Sequence, residues 1–81
     1  MTTYEQELQA LKSYDEVQST EIVRGYDFIT TAGHGYLVVP KSDPNSRTAS
    51  RICNYGFKGK LATYLEEDCE ASEFLKKVGK L

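Results

Sequence analysis

Apolar residues recur every three or four positions near both ends of the chain, which predicts an amphipathic helix at each end. The first helix is expected from Thr3, its cap, to about Val17. Its inner face carries Tyr4, Leu8, Leu11 and Tyr14. The last helix is expected to begin at Asp68, which caps it, and to end at Gly79. Its inner face carries Ala71, Phe74, Leu75 and Val78.

β-branched and aromatic residues dominate the segment that follows the first helix, which favours strands there. One strand is predicted over residues 21–31, with a bulge at Gly25, and a second over residues 36–39. Between them, Gly33 and Gly35 are expected to supply the positive φ values of a tight hairpin turn.

The second half of the chain predicts a short helix and then another hairpin. Asp43 followed by Pro44 is typical of a helix start, so we expect a helix from there to about Cys53. The inward side of this helix carries Ala49, Ile52 and Cys53. Residues 54–57 and 60–65 then flank a two-residue turn as the strands of a second hairpin.

These elements together predict an α+β fold. The two hairpins form an antiparallel sheet of about four strands, with the N- and C-terminal helices packed on one face. A chain of 81 residues is too short to divide into two cores, so residues 1–81 are expected to form a single domain. A core this small leaves a net stability of only a few kcal/mol, which a homodimer would increase.

Composition and charge exclude several classes of partner. Ten basic against twelve acidic residues leave a net charge of -2, so direct nucleic-acid binding is disfavoured. The longest apolar stretch is far shorter than the roughly 20 residues of a membrane-spanning helix. The first residues lack the basic-then-apolar order of a secretion signal. We therefore expect a cytoplasmic protein that binds neither membrane nor nucleic acid.

The two cysteines, Cys53 and Cys69, are expected to be free thiols that fill the core, because the cytosol is reducing and free cysteine is commonly buried. A nucleophilic pair of Cys69 with His34 is disfavoured, since the acidic residues around Cys69 oppose thiolate formation. No metal and no cofactor are expected, because the spacing of these residues differs from that of known zinc ligands.

Three groups of residues are candidates for binding. His34 lies at the tip of the first hairpin, either as a turn residue packed on Tyr36 or as a contact to a ligand or partner. Four tyrosines lie in or beside the predicted strands, where they are sheet residues or interface residues: Tyr26, Tyr36, Tyr55 and Tyr64. An acidic run either complements the dipole of the last helix or meets a basic surface. It contains Glu66, Glu67, Asp68, Glu70 and Glu73.

Two strings, TTAGHGYLVVP at residues 30–40 and YLEEDCEA at residues 64–71, resemble short proteins of bacteriophages and mobile elements that carry an HGYL-type and an LEEDC-type string. The resemblance covers roughly residues 26–78. It implies a small phage or mobile-element protein, and such proteins are often inhibitors of host defence, including anti-CRISPR proteins. It transfers no catalytic residue.

The sequence thus predicts a non-enzymatic protein that inhibits a bacterial defence complex in the host cytoplasm by binding a basic surface of that complex. The predicted contacts are His34, Tyr36, Tyr26, Tyr55, Tyr64, Glu66, Glu67 and Glu70. One alternative is a small-molecule or nucleotide-signal binding protein that uses the His34 hairpin. A second alternative is a small enzyme with a Cys-His centre.

Overall fold

The computed structural model describes residues 3–12 and 16–80. The elements in chain order are α1 (Thr3–Leu11), β1 (Val17–Val23), β2 (Tyr26–Thr31), β3 (Gly35–Pro40), α2 (Ser46–Ile52), β4 (Phe57–Lys58), β5 (Ala62–Glu66) and α3 (Glu70–Lys77). The strands form one sheet in the order β1-β2-β3-β5-β4, and every neighbouring pair is antiparallel. The α+β prediction is confirmed, with five strands in place of about four.

The additional strand comes from the segment that was predicted as one long strand with a bulge. Arg24 and Gly25 both have positive φ, 54° and 86°, and they reverse the chain between β1 and β2. Positive φ at both central residues matches the twist of a two-residue hairpin. The predicted bulge at Gly25 is therefore wrong, and the register shift of this hairpin lies between Val17 and Ser19.

The first helix is shorter than predicted, since α1 ends at Leu11 and Val17 already begins β1. Thr3 is the first residue of the helix, so it is not the cap. Leu11 is 42% exposed, so its predicted inner position is wrong, and the neighbouring Lys12 is buried instead, at 2% exposed. The predicted inner position of Tyr14 lies outside the described residues.

The helices cover both faces of the sheet, which corrects the prediction that the terminal helices share one face. Successive side chains of β3 point to opposite faces. Tyr36 and Val38 pack with Leu8 of α1, while the residues between and after them pack with α2 and α3. This two-sided cover explains the run of four apolar residues in β3, because neither face of the strand is exposed to solvent.

The start of α2 differs from its prediction. Asp43 and Pro44 lie in the turn before the helix, where the Asp43 carboxylate accepts a hydrogen bond from the Asn45 amide at 2.8 Å. Asn45 is the cap residue, and its side chain makes no capping hydrogen bond. The predicted inward side is confirmed, because Ala49, Ile52 and Cys53 are buried.

The second hairpin is confirmed with shifted bounds, because β4 and β5 pair antiparallel across residues 59–61. The predicted inner face of α3 is confirmed, with three residues buried and Val78 packed against them. The cap of α3 is Cys69, without a side-chain hydrogen bond, so the predicted cap at Asp68 is wrong. Gly79 ends the helix as predicted: its φ is 74°, and the Lys80 amide donates to the Leu75 carbonyl at 2.9 Å, as in a Schellman motif.

Candidate functional site

A cleft of about 440 Å³ opens where β3 begins and β5 ends. The antiparallel register sets Tyr36 beside Glu66, and so brings the His34 turn next to the end of β5. Residues from distant parts of the chain meet here. The cleft is lined by Lys12, His34, Tyr36, Tyr55, Phe57, Glu66, Asp68, Cys69 and Glu70.

The floor of the cleft is an aromatic pair that holds an ammonium group. The Lys12 Nζ donates to the Tyr36 hydroxyl at 2.9 Å, and it lies 5.1 Å from the centroid of the Tyr36 ring and 5.6 Å from that of Phe57. These distances are those of cation–π contacts. The positive charge of Lys12 led to its omission from the predicted inner side, whereas its four-residue spacing from the buried Leu8 is the signal that could have found it.

His34 stands on the wall of the cleft. Its side chain is 50% exposed, its Nδ1 lies 3.3 Å from the Glu66 Oε2, and its ring centroid lies 6.2 Å from that of Tyr36. Its backbone is fixed by Thr31, whose amide donates to the His34 carbonyl at 2.8 Å. The ring therefore faces both solvent and a carboxylate.

The glycines beside His34 do not have the predicted positive φ. Within residues 3–12 and 16–80, the glycines with positive φ are Gly25 and Gly79. Gly35 is favoured by a close approach instead, because a Cβ atom there would lie 2.6 Å from the Phe28 ring and 2.5 Å from the Glu67 carboxylate, and both side chains would have to shift.

Glu70 is a buried carboxylate that fixes one side of the cleft. It is 4% exposed, which contradicts its predicted place in an exposed acidic run. Its oxygens accept hydrogen bonds from four backbone amides, those of Asn54, Tyr55, Gly56 and Glu66. The loop before β4 is thus joined to the end of β5 through one side chain. The sequence carries no local signal for this, since the amides lie up to 16 residues away.

The four predicted tyrosines have different environments. Tyr55 is 80% exposed at the cleft, while Tyr36 is 2% exposed on its floor. Tyr26 is buried against α3, with its ring centroid 5.5 Å from that of Phe74. Tyr64 is fully buried on the α1 side. Of the four, Tyr55 alone offers an exposed ring, and partner binding by the others stays a prediction.

Tyr64 and Glu7 form a hydrogen-bonded pair beneath α1. The Tyr64 hydroxyl donates to the Glu7 Oε1 at 2.7 Å. Burial and this hydrogen bond raise the pKa of Tyr64. Burial also opposes ionisation of Glu7, but hydrogen bonds from Tyr64 and from the amides of Lys60 and Leu61 outweigh it, so the pKa of Glu7 lies below its ordinary value.

Three acidic side chains form a cluster at the end of β5, here called the acidic rim: Glu66, Glu67 and Asp68. Of these, Glu66 and Asp68 line the cleft. One carboxylate oxygen of each lies within 4.8 Å of the others. Glu67 and Asp68 are exposed, and the Glu66 side chain is 15% exposed. Such a group of like charges is stabilised by a neighbouring cation.

The two cysteines are both free thiols, as predicted. Cys53 is buried, and burial together with the negative charge of Glu70 raises the pKa of its thiol. Cys69 is exposed on the wall of the cleft, so the prediction that it fills the core is wrong.

Comparison of the chain with protein-family models, with curated proteins and with solved structures finds no match. Over the part of the chain that the structure describes, every helix is too short or too polar to cross a bilayer.

Proposed function

We propose that the chain is a non-enzymatic binding protein that docks a basic partner protein on one surface, made of His34, Tyr55 and the acidic rim. The observation that carries this proposal is the Tyr55 ring, which is 80% exposed although its backbone is held by the buried Glu70. A tyrosine presented on a fixed loop loses little conformational freedom on binding, so it is a favourable interface anchor.

Charge supports the same surface. Glu66 and Asp68 of the acidic rim line the same cleft as Tyr55, and Glu67 and Asp68 are exposed to an approaching partner. Clustered carboxylates steer a basic surface into contact and raise its association rate. A basic protein surface is therefore the complementary partner.

The partner class follows from the resemblance to phage and mobile-element proteins. It implies a bacterial defence complex in the host cytoplasm, whose basic surface handles nucleic acid. Docking of the acidic rim on that surface would exclude the nucleic acid and inhibit the complex.

A second candidate function is favoured by the cleft itself. Its volume of about 440 Å³ is within the range of small-molecule pockets, and its floor offers the Lys12 ammonium and two aromatic rings. A small-molecule or nucleotide-signal binding protein would use the same residues. Calorimetric titration with nucleotides and cyclic dinucleotides distinguishes this function from protein docking, because a surface that docks only proteins gives no heat of binding with these ligands.

The experiment starts from the tagged chain and purified bacterial defence complexes. We expect the wild type to bind one complex and to inhibit its cleavage of target DNA, and Tyr55→Ala to weaken binding at least tenfold. Glu73→Gln, which removes an exposed acidic charge of α3 outside the cleft lining, is the matched control and should bind like the wild type. Equal binding by Tyr55→Ala and the wild type would show that the contact lies elsewhere.

Association should also depend on salt. Raising the ionic strength from about 0.05 to 0.5 M shortens the Debye length from about 14 to 4 Å, so we expect association to slow roughly tenfold and dissociation to change less. Glu67→Lys should slow association at low salt, because Glu67 is exposed on the acidic rim. An unchanged association rate for Glu67→Lys would refute steering by the rim.

A further inference from the structure

We infer that the cleft binds the side chain of one arginine of the partner, with the guanidinium against the Tyr55 ring and between the carboxylates of Glu66 and Asp68. This inference rests on the proposed function, because it names the partner group that the docking surface recognises. It makes the cleft a recognition subsite inside a broader acidic surface.

The charge of the lining favours a cation. Three carboxylates and one ammonium line the cleft. The Glu70 carboxylate already accepts four backbone hydrogen bonds. The remaining anionic groups are Asp68 and Glu66, and the Glu66 Oε2 lies 3.3 Å from the His34 Nδ1 on the wall of the cleft. A concave wall with net negative charge concentrates the field on a cation inside it.

The position of Lys12 sets where that cation lies. Its ammonium stands over the Tyr36 and Phe57 rings, so the floor of the cleft already stabilises one positive charge. A second cation is excluded from the floor by repulsion and is directed to the mouth. The remaining lining includes the exposed Tyr55 ring and the carboxylates of Glu66 and Asp68.

Arginine fits this mouth better than lysine. The guanidinium is flat, weakly hydrated and able to stack on an aromatic ring while its N–H groups donate to carboxylates at its edge. A lysine ammonium is compact and strongly hydrated, and it gains less from a flat ring. An exposed ring and two carboxylates in the lining of one cleft of about 440 Å³ match the first group.

The test is an NMR titration of the ¹⁵N-labelled chain with two capped peptides, acetyl-GSGRGSG-amide and acetyl-GSGKGSG-amide. We expect the arginine peptide to shift the amide signals of Tyr55, Glu66 and Cys69, with a dissociation constant in the range of about 1–10 mM. It should bind at least threefold more tightly than the lysine peptide.

Variants locate the bound side chain. Tyr55→Ala and Glu66→Gln should each weaken the arginine peptide at least threefold, and Glu73→Gln should leave its affinity unchanged. Tyr55 is exposed, so its truncation leaves the fold intact, and the dispersion of the spectrum verifies this for each variant. The 15% exposed Glu66 keeps its size in the glutamine variant.

Three results would overturn the inference: equal affinity for the two peptides, equal weakening by Glu73→Gln and Glu66→Gln, or no shift at about 10 mM arginine peptide. The first two indicate general attraction between charges. If the arginine peptide fails while Tyr55→Ala still abolishes binding to the intact partner, the arginine subsite is wrong and the docking function stands. If the arginine peptide does not bind and Tyr55→Ala binds the intact partner like the wild type, the proposed function is wrong as well.

Discussion

Replacement of the buried Glu70 by glutamine is expected to destabilise the fold and to loosen the loop that carries Tyr55. One carboxylate oxygen accepts the amides of Asn54 and Tyr55, and the other accepts those of Gly56 and Glu66. A glutamine amide keeps one oxygen and places an NH₂ group where the other was. Two backbone donors then face a donor in place of an acceptor.

The magnitude follows from those two lost bonds. A hydrogen bond to a charged group contributes about 1.5–3 kcal/mol. The remaining glutamine oxygen is expected to accept from the amides of Gly56 and Glu66. The amides of Asn54 and Tyr55 belong to exposed residues, so hydrogen bonds to water replace part of the lost stabilisation. The lower end applies, and the free energy of unfolding should fall by about 3 kcal/mol. For a domain of this size that lowers Tm by roughly 12–24 °C.

The assay is urea unfolding followed by circular dichroism, combined with hydrogen exchange of the four bonded amides. Glu70→Gln should lower the unfolding free energy and accelerate exchange at residues 54–56. Glu73→Gln, on the same helix but exposed, should change stability by less than about 0.5 kcal/mol. A Glu70→Gln variant within that margin and with unchanged exchange would refute the role given to Glu70.

Three further outcomes are expected. Gly35→Val should lower Tm, because an added Cβ atom would lie 2.6 Å from the Phe28 ring, which must then shift together with the Glu67 side chain, and an unchanged Tm would contradict this packing. The pKa of Glu7 lies below its ordinary value of 4.5, so ionised Glu7 stabilises the fold above that pH and the contribution is lost as pH falls. In Glu7→Gln, the free energy of unfolding should fall less steeply as the pH is lowered than in the wild type. The same pH dependence in both proteins would refute this role of Glu7. The edge strand β1, with Ile22 67% exposed, is expected to pair two copies of the chain. Light scattering of the wild type should give twice the monomer mass, and the Ile22→Lys variant should give the monomer mass. A monomeric wild type would contradict this pairing.

The sequence by itself determined those elements whose signals are local. The apolar spacing of α3 and the glycine after it are local signals of one helix, and Gly79 ends that helix as predicted. The hairpin of β4 and β5 and the inward side of α2 also follow from short-range patterns. Helix periodicity and turn chemistry act over a few residues, so a single sequence displays them.

The tertiary structure decided what depends on contacts between distant segments. Arg24 has no local preference for positive φ, so the turn at Arg24 and Gly25 is determined by the pairing of β1 with β2 and is not indicated by the local sequence. The two-sided burial of β3 put α1 and α3 on opposite faces, which a pattern of four apolar residues allows but does not specify. Lys12 and Glu70 are charged residues that local patterns assign to the surface. They are buried because an aromatic pair and four backbone amides, brought from elsewhere in the chain, offset the loss of their hydration.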